Sequence, residues 1–124
     1  MVKQFLQENS FHDAYVVAMR YYKEFERVRM NVVQLYSEIS VPCAVKEEIA
    51  QDDLVEIELY VQNVYYVDFG ENNYFDYEII DIVYEQKNEG DILLFKLHMY
   101  EDYREFCIKG KKIKISGQIV KKVY

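Results

Sequence analysis

Tryptophan is absent from this 124-residue chain, proline occurs once and glycine four times. So few breakers leave no stretch that reads as a flexible linker, and 51% hydrophobic with 30% charged residues is a globular composition. No run approaches the roughly 18 apolar residues that a membrane span needs. The opening Met-Val-Lys-Gln-Phe-Leu-Gln-Glu also lacks the apolar core of a signal peptide. Cysteine is limited to Cys43 and Cys107, far apart and without a CxxC or a neighbouring His pair, so the usual zinc spacings are missing. These absences lead us to expect one cytoplasmic domain spanning 1–124, with reduced thiols and Cys107, between Phe106 and Ile108, as a small core residue.

Catalytic motifs are missing as well. The chain has no Gly-x-Gly-x-x-Gly, Gly-x-Ser-x-Gly, His-Glu-x-x-His or Walker pattern, which removes the common routes to nucleotide, acyl-transfer and metalloprotease chemistry. Asp68-Phe69-Gly70 is a triplet that kinases use for metal, but no glycine-rich phosphate loop or catalytic loop accompanies it. The loop from Asp68 to Asn73 carries oxygen ligands without the alternating acids and closing Glu of a calcium-binding EF-hand. We expect no cofactor and no resident metal.

Positive charge is scarce where negative charge is dense. Between Glu47 and Asp91 fourteen Asp and Glu face a single base, Lys87, whereas Arg104 to Tyr124 carries seven bases against Glu105 alone. A net charge of −7 argues against nucleic acid, whose binding rests on neutralising phosphates, and against an anionic membrane surface.

What is present alternates. Val55, Ile57, Leu59 and Val61 fall on one parity with Glu56, Glu58, Tyr60 and Gln62 on the other, the pattern of a strand with one buried face. Tyr74 to Tyr84 and Ile92 to Tyr100 are rich in β-branched and aromatic residues and flank a polar 85–91 loop, a hairpin. Ile108 to Val123 alternates around Ile113, Ile115 and Ile119 and follows a turn at 101–104. The second half is therefore an antiparallel meander.

The first third supports two readings. Ala14, Val17, Ala18, Tyr21, Phe25, Val28, Val32 and Leu35 form a helical stripe, which would give an α+β fold with a long helix over 13–36 packed on the sheet. Alternatively, 14–22 and 27–35 form a hairpin around Lys23-Glu24-Phe25-Glu26, with Val28, Met30 and Val32 alternating against Arg27, Arg29 and Asn31; the turn lacks Gly, Asn or Pro.

Ser10-Phe11-His12-Asp13-Ala14-Tyr15-Val16-Val17, the Val55–Val61 strand followed by Gln62-Asn63-Val64, and a Lys-rich strand ending Ile115-Ser116-Gly117 resemble a loose group of small bacterial β-rich proteins. Its members resemble immunity proteins of toxin systems or have no assigned role. In that group an aromatic-His-Asp triplet, here Phe11, His12 and Asp13, opens the first strand. The resemblance implies the hairpin, and with it a mainly β protein, from single sheet to barrel or sandwich. The Cys43-to-Asp53 segment does not match the group, and we expect short helical turns there, inserted between strands, and at the N-terminus.

His12-Asp13 is the one local pair with chemical potential, since a carboxylate can orient an imidazole. Adjacent strand residues point to opposite faces, so the expectation is a structural pair, with His98 on a solvated face beside Lys96 and Tyr100. The thirteen tyrosines serve either the core or an interface. Glu56, Glu58, Tyr60, Asp76 and Glu78 are candidates for an acidic, tyrosine-bearing face, unless Lys112 and Lys114 lie across from Glu56 and Glu58 and neutralise them. Three functions stay open: a non-enzymatic, immunity-like protein binding a basic partner, a small hydrolase or metal-dependent enzyme using His12 and His98, and a self-associating subunit.

Overall fold

Period-two alternation runs through six segments, and in the computed structural model, which describes residues 1–69 and 74–123, each is a strand. They are β1 (Tyr15–Tyr22), β2 (Arg27–Leu35), β3 (Leu54–Asp68), β4 (Glu78–Lys87), β5 (Gly90–Met99) and β6 (Asp102–Lys122), preceded by one short helix, α1 (Val2–Glu8). All neighbours are antiparallel and the order β1-β2-β3-β6-β5-β4 closes into a barrel. The fold is mainly β, as the alternation predicted.

The helix over 13–36 does not form; that stretch is the β1–β2 hairpin. Val28, Met30, Val32 and Gln34 are buried while Arg27, Arg29, Asn31 and Val33 between them are half exposed, so the period of two prevails over the helical stripe. The turn without glycine is built from a 3₁₀ turn, Lys23–Phe25, and Glu26 at φ 50, whose N–H donates to the Lys23 carbonyl at 3.2 Å. Beyond β2 a second 3₁₀ turn, Tyr36–Glu38, appears, but the helical turns expected over 43–53 do not. That segment runs along β6 instead. Ile119 N–H donates to the Pro42 carbonyl at 2.8 Å and Ala44 N–H donates to the Ile119 carbonyl at 2.9 Å, so sheet pairing takes backbone groups a helix would need.

The β4–β5 and β5–β6 turns are tighter than the sequence suggested, with Asn88-Glu89 and Tyr100-Glu101 as two-residue loops. Tyr100 at φ 56 supplies the left-handed backbone of the second, a role glycine usually takes. Closure between β1 and β4 is narrow. Tyr15 pairs with Glu78, and four backbone hydrogen bonds of 2.9 Å link residues 13–16 to 76–79.

The interior is filled by side chains, as a barrel this small requires. Val28, Met30 and Val32 of β2, Ile57, Leu59 and Val61 of β3, Leu93, Phe95 and Leu97 of β5, and Phe106 and Ile108 of β6 are all buried. Phe95 stacks on Phe106 with ring centroids 4.5 Å apart and planes at 12°. Phe11 joins this core against Phe5 of α1. Cys107 is half buried, and that burial raises its thiol pKa.

Two strands bend sharply to make the closure possible. β3 turns at Asn63, φ 67, and β6 at Lys112, φ 56, where the β3–β6 register slips and Asn63 Nδ2 donates to the Lys112 carbonyl at 2.9 Å. At this bend a Cβ on Gly110 would lie 2.2 Å from the Asn63 carbonyl oxygen, an atom fixed in the backbone. Asp91, 4% exposed, reaches in from β5 and accepts the Ile113 N–H at 2.9 Å, which the bulge has freed from the ladder.

Two variants test the bend. Gly110→Ala should lose about 1–3 kcal/mol or more by overpacking, and Asp91→Ala about 1–3 kcal/mol by leaving the Ile113 N–H buried without an acceptor. Urea unfolding measures both; wild-type stability in either variant would contradict the account of the bend.

Candidate binding hollow

The closing contact of the barrel also shapes a concavity lined by two carboxylates and a histidine. Because Tyr15 pairs with Glu78, Glu78 with His98, and His98 with Tyr103, these four side chains stand in one row across the outer wall of β1, β4, β5 and β6. Above the row Asp76, at φ 68, and the turn residue Tyr100 complete a hollow of about 280 Å³ lined by Tyr15, Asp76, Glu78, His98, Met99 and Tyr100. Glu78 Oε2 lies 3.3 Å from His98 Nε2. Two of its walls are exposed aromatics, Tyr100 at 94% and Tyr15 at 42%. A larger groove of about 400 Å³ between α1 and β4, lined by Lys3, Leu6, Gln7, Ile82, Tyr84 and Gln86, gathers no acid or nucleophile.

Beside the hollow, Tyr77, Asp102 and Arg104 form a linked set. The Tyr77 hydroxyl donates to Asp102 Oδ2, and Arg104 Nε donates to the same oxygen at 3.1 Å. The Tyr77 hydrogen bond, then Arg104, holds the Asp102 carboxyl below its usual range, while the bond to Asp102 and then burial raise the Tyr77 phenol. On the far side of the barrel, Asp53 accepts the Ala50 N–H at 2.8 Å and lies 3.2 Å from Lys122 Nζ, and these two contacts, in that order, lower its pKa.

The five candidate face residues separate into two groups. Asp76 and Glu78 meet at the hollow, but Glu56, Glu58 and Tyr60 lie on β3, three strands away in either direction around the barrel. There Glu56 stands across from Lys121 and accepts Asn31 Nδ2 at 3.1 Å, and Glu58 stands between Asn31 and Gln118. Tyr60 stands between Arg29 and Ser116. Lys114 faces Gln62, so the pairing of Lys112 and Lys114 with Glu56 and Glu58 does not occur. Lys121 alone stands across from one of these acids, Glu56, while Lys122 pairs with Asp53 and Lys87 with Glu85.

Phe11, His12 and Asp13 act on the strand entry. They precede β1 in a turn, with Phe11 at φ 56 and Asp13 at φ 67, so the rule of opposite faces does not apply and His12 Nε2 comes within 3.5 Å of Asp13 Oδ1. His12 Nδ1–H donates to the Ile80 carbonyl at 2.8 Å, Asp13 N–H donates to Ile79, and the His12 carbonyl accepts Gln34 Nε2 at 2.7 Å. The triplet pins the start of β1 between β4 and β2. His98 sits on an outer face as expected, though it contacts Glu78 rather than solvent alone.

Asn9, fully buried, fixes α1 to the 39–41 chain by accepting Ser40 N–H at 2.6 Å and donating to the Phe5 carbonyl at 3.2 Å. Neither Asn9 nor Gln34 stood out in sequence, because isolated amides carry no pattern. Among the described residues no group of three or more His, Cys, Asp or Glu is placed to hold a metal, and no helix is long and apolar enough to cross a membrane. Residues 70–73 of the loop weighed for calcium lie outside the described residues.

The architecture defines a small closed antiparallel barrel carrying an aromatic, acidic hollow on its closing seam. Comparison with known protein families, characterised proteins and solved structures finds no match for this chain.

The shifted groups set a pH dependence. Asp102 and Asp53 have lowered folded pKa values, so the stability they add is present above the unfolded carboxylate value of about 3.9 and is lost as pH falls through the folded values. Tyr77 has a raised value, so its share is present below about pH 10 and is lost as pH rises through the folded value. Asp102→Asn should flatten the acid limb of the stability profile and return the Tyr77 titration, followed by ultraviolet absorbance, toward about 10. An unchanged Tyr77 titration would mean the two groups are not coupled.

Proposed function

We propose that this protein is a non-enzymatic binding protein, immunity-like in kind, whose hollow at Tyr15, Asp76, Glu78 and Tyr100 receives a basic segment of a partner protein. The observation that carries this reading is the convergence of two carboxylates and three aromatic or thioether walls in one hollow of about 280 Å³. A Lys or Arg side chain fits that chemistry, because its stem packs on Tyr15, Met99 and Tyr100 while its charge meets Asp76 and Glu78. Tyrosine is also a residue that anchors protein interfaces. Beyond His98, which contacts Glu78, the nearby Arg and Lys are engaged elsewhere. Arg104 is engaged by Asp102, and Lys96 stands across from Glu105 and Asp81.

The contact between His98 and Glu78 favours a hydrolase as a second reading. It has less support, since His12, the other histidine, is committed to the Ile80 carbonyl and to strand entry.

Co-expression with the products of adjacent genes tests the proposal. A basic protein should co-purify with the wild-type chain at low salt and be released at high salt, because exposed charge contacts are screened. Asp76→Lys with Glu78→Lys should weaken binding at least tenfold, about 1.4 kcal/mol. A complex that survives both changes, or the lack of any basic partner, would overturn it.

A further inference from the structure

Further along β1, the hairpin carries the reverse charge. On the outer face of the hairpin Arg20 of β1 stands directly across from Arg29 of β2, and Tyr22 across from Arg27. The three guanidinium carbons sit 5.1, 5.5 and 5.7 Å from the centroid of the Tyr22 ring, for Arg20, Arg27 and Arg29 respectively, and Arg27 also lies 5.1 Å from the Tyr60 ring. Like charges directly opposed across strands are destabilising unless something compensates them. Among the described residues no carboxylate lies within ion-pair distance of any of the three, and Arg27 Nε is buried without a hydrogen-bond partner. The cation–π contacts hold the guanidinium groups in place but leave their planar donor forks unfilled.

We propose that Arg20, Arg27 and Arg29, with Tyr22 and Tyr60, form a second docking surface that takes the carboxylate side chains of an acidic protein segment. Charge complementarity commits the surface to an anion, since paired guanidinium forks match carboxylates bidentately. The surroundings choose a protein over a nucleic acid. Glu24 and Glu26 at the hairpin tip and Glu58, across from Asn31, bound the patch along the strands, so it suits separate carboxylate side chains spaced by neutral residues rather than the unbroken charge of a phosphate backbone. Phe25, 71% exposed at the tip, and the two tyrosines add the apolar anchors typical of protein interfaces. The surface is independent of the hollow: Tyr15 and Arg20 are five residues apart on one strand, about 16 Å.

The test follows the arginine side-chain Nε–H signals by NMR during titration with a Glu-rich peptide containing one aromatic residue, and in parallel with an oligothymidylate. With the peptide, shifts should be confined to Arg20, Arg27, Arg29 and their strand neighbours and should disappear at high salt. Arg20→Gln should weaken the peptide at least tenfold while its melting temperature equals or exceeds wild type, because the substitution relieves a like-charge pair. Tighter binding of the oligothymidylate, shifts located elsewhere, or no shifts with either probe would overturn the proposal, as would a lowered melting temperature, which would make the arginines structural.

Discussion

The barrel depends on the long antiparallel ladder between β3 and β6. Each of these strands belongs to two walls: in its first half β3 pairs with β2 on one side and the end of β6 on the other, and in its second half it meets the part of β6 that also pairs with β5. A straight strand cannot do this. The change of direction is made at Asn63 and Lys112, where two non-glycine residues take left-handed backbone, and the bulge is tolerated because Gly110 lets the chains approach and Asp91 receives the amide that the ladder loses. Local strain is thereby offset by a buried hydrogen bond contributed from a third strand.

Closure gives the chain its core without requiring a second layer. Alternate residues of all six strands point inward, and the aromatic pair Phe95 and Phe106 fills the space that tryptophan would take in another sequence. The free edge of the last part of β6 is covered by 42–44, which explains why a segment with no strand alternation is nevertheless ordered in extended form.

Much of this was legible in the residues. The Val55–Val61 alternation is the buried face of β3, whereas Val28, Met30 and Val32 alternating with three polar residues competed with a helical stripe and left the first third open between strand and helix. The site was legible only in part. Strand parity says which face a residue takes, but not where its strand stands around a closed barrel, so Glu56 and Glu78 were grouped although two strands lie between theirs in either direction. Register was hidden as well: parity gives the face of a residue but not its cross-strand partner, and Lys114 falls opposite Gln62 rather than an acid. The arginine wall was overlooked because Arg20 belongs to a different strand from Arg27 and Arg29, and only the hairpin pairing brings them together. The first strand thus serves two aromatic surfaces of opposite sign, Tyr15 beside the acids Asp76 and Glu78 and Tyr22 beside the three arginines.

The narrow seam has a consequence for energetics. Tyr15 and Glu78, the residue pair that closes the barrel, are also walls of the hollow, and only four backbone hydrogen bonds join residues 13–16 to 76–79. A junction that short is where a barrel opens at least cost, well below the free energy of global unfolding. An occupant of the kind proposed above would touch both sides of that junction, and by binding only the closed ring it would stabilise that ring against opening and slow the exchange of its seam amides.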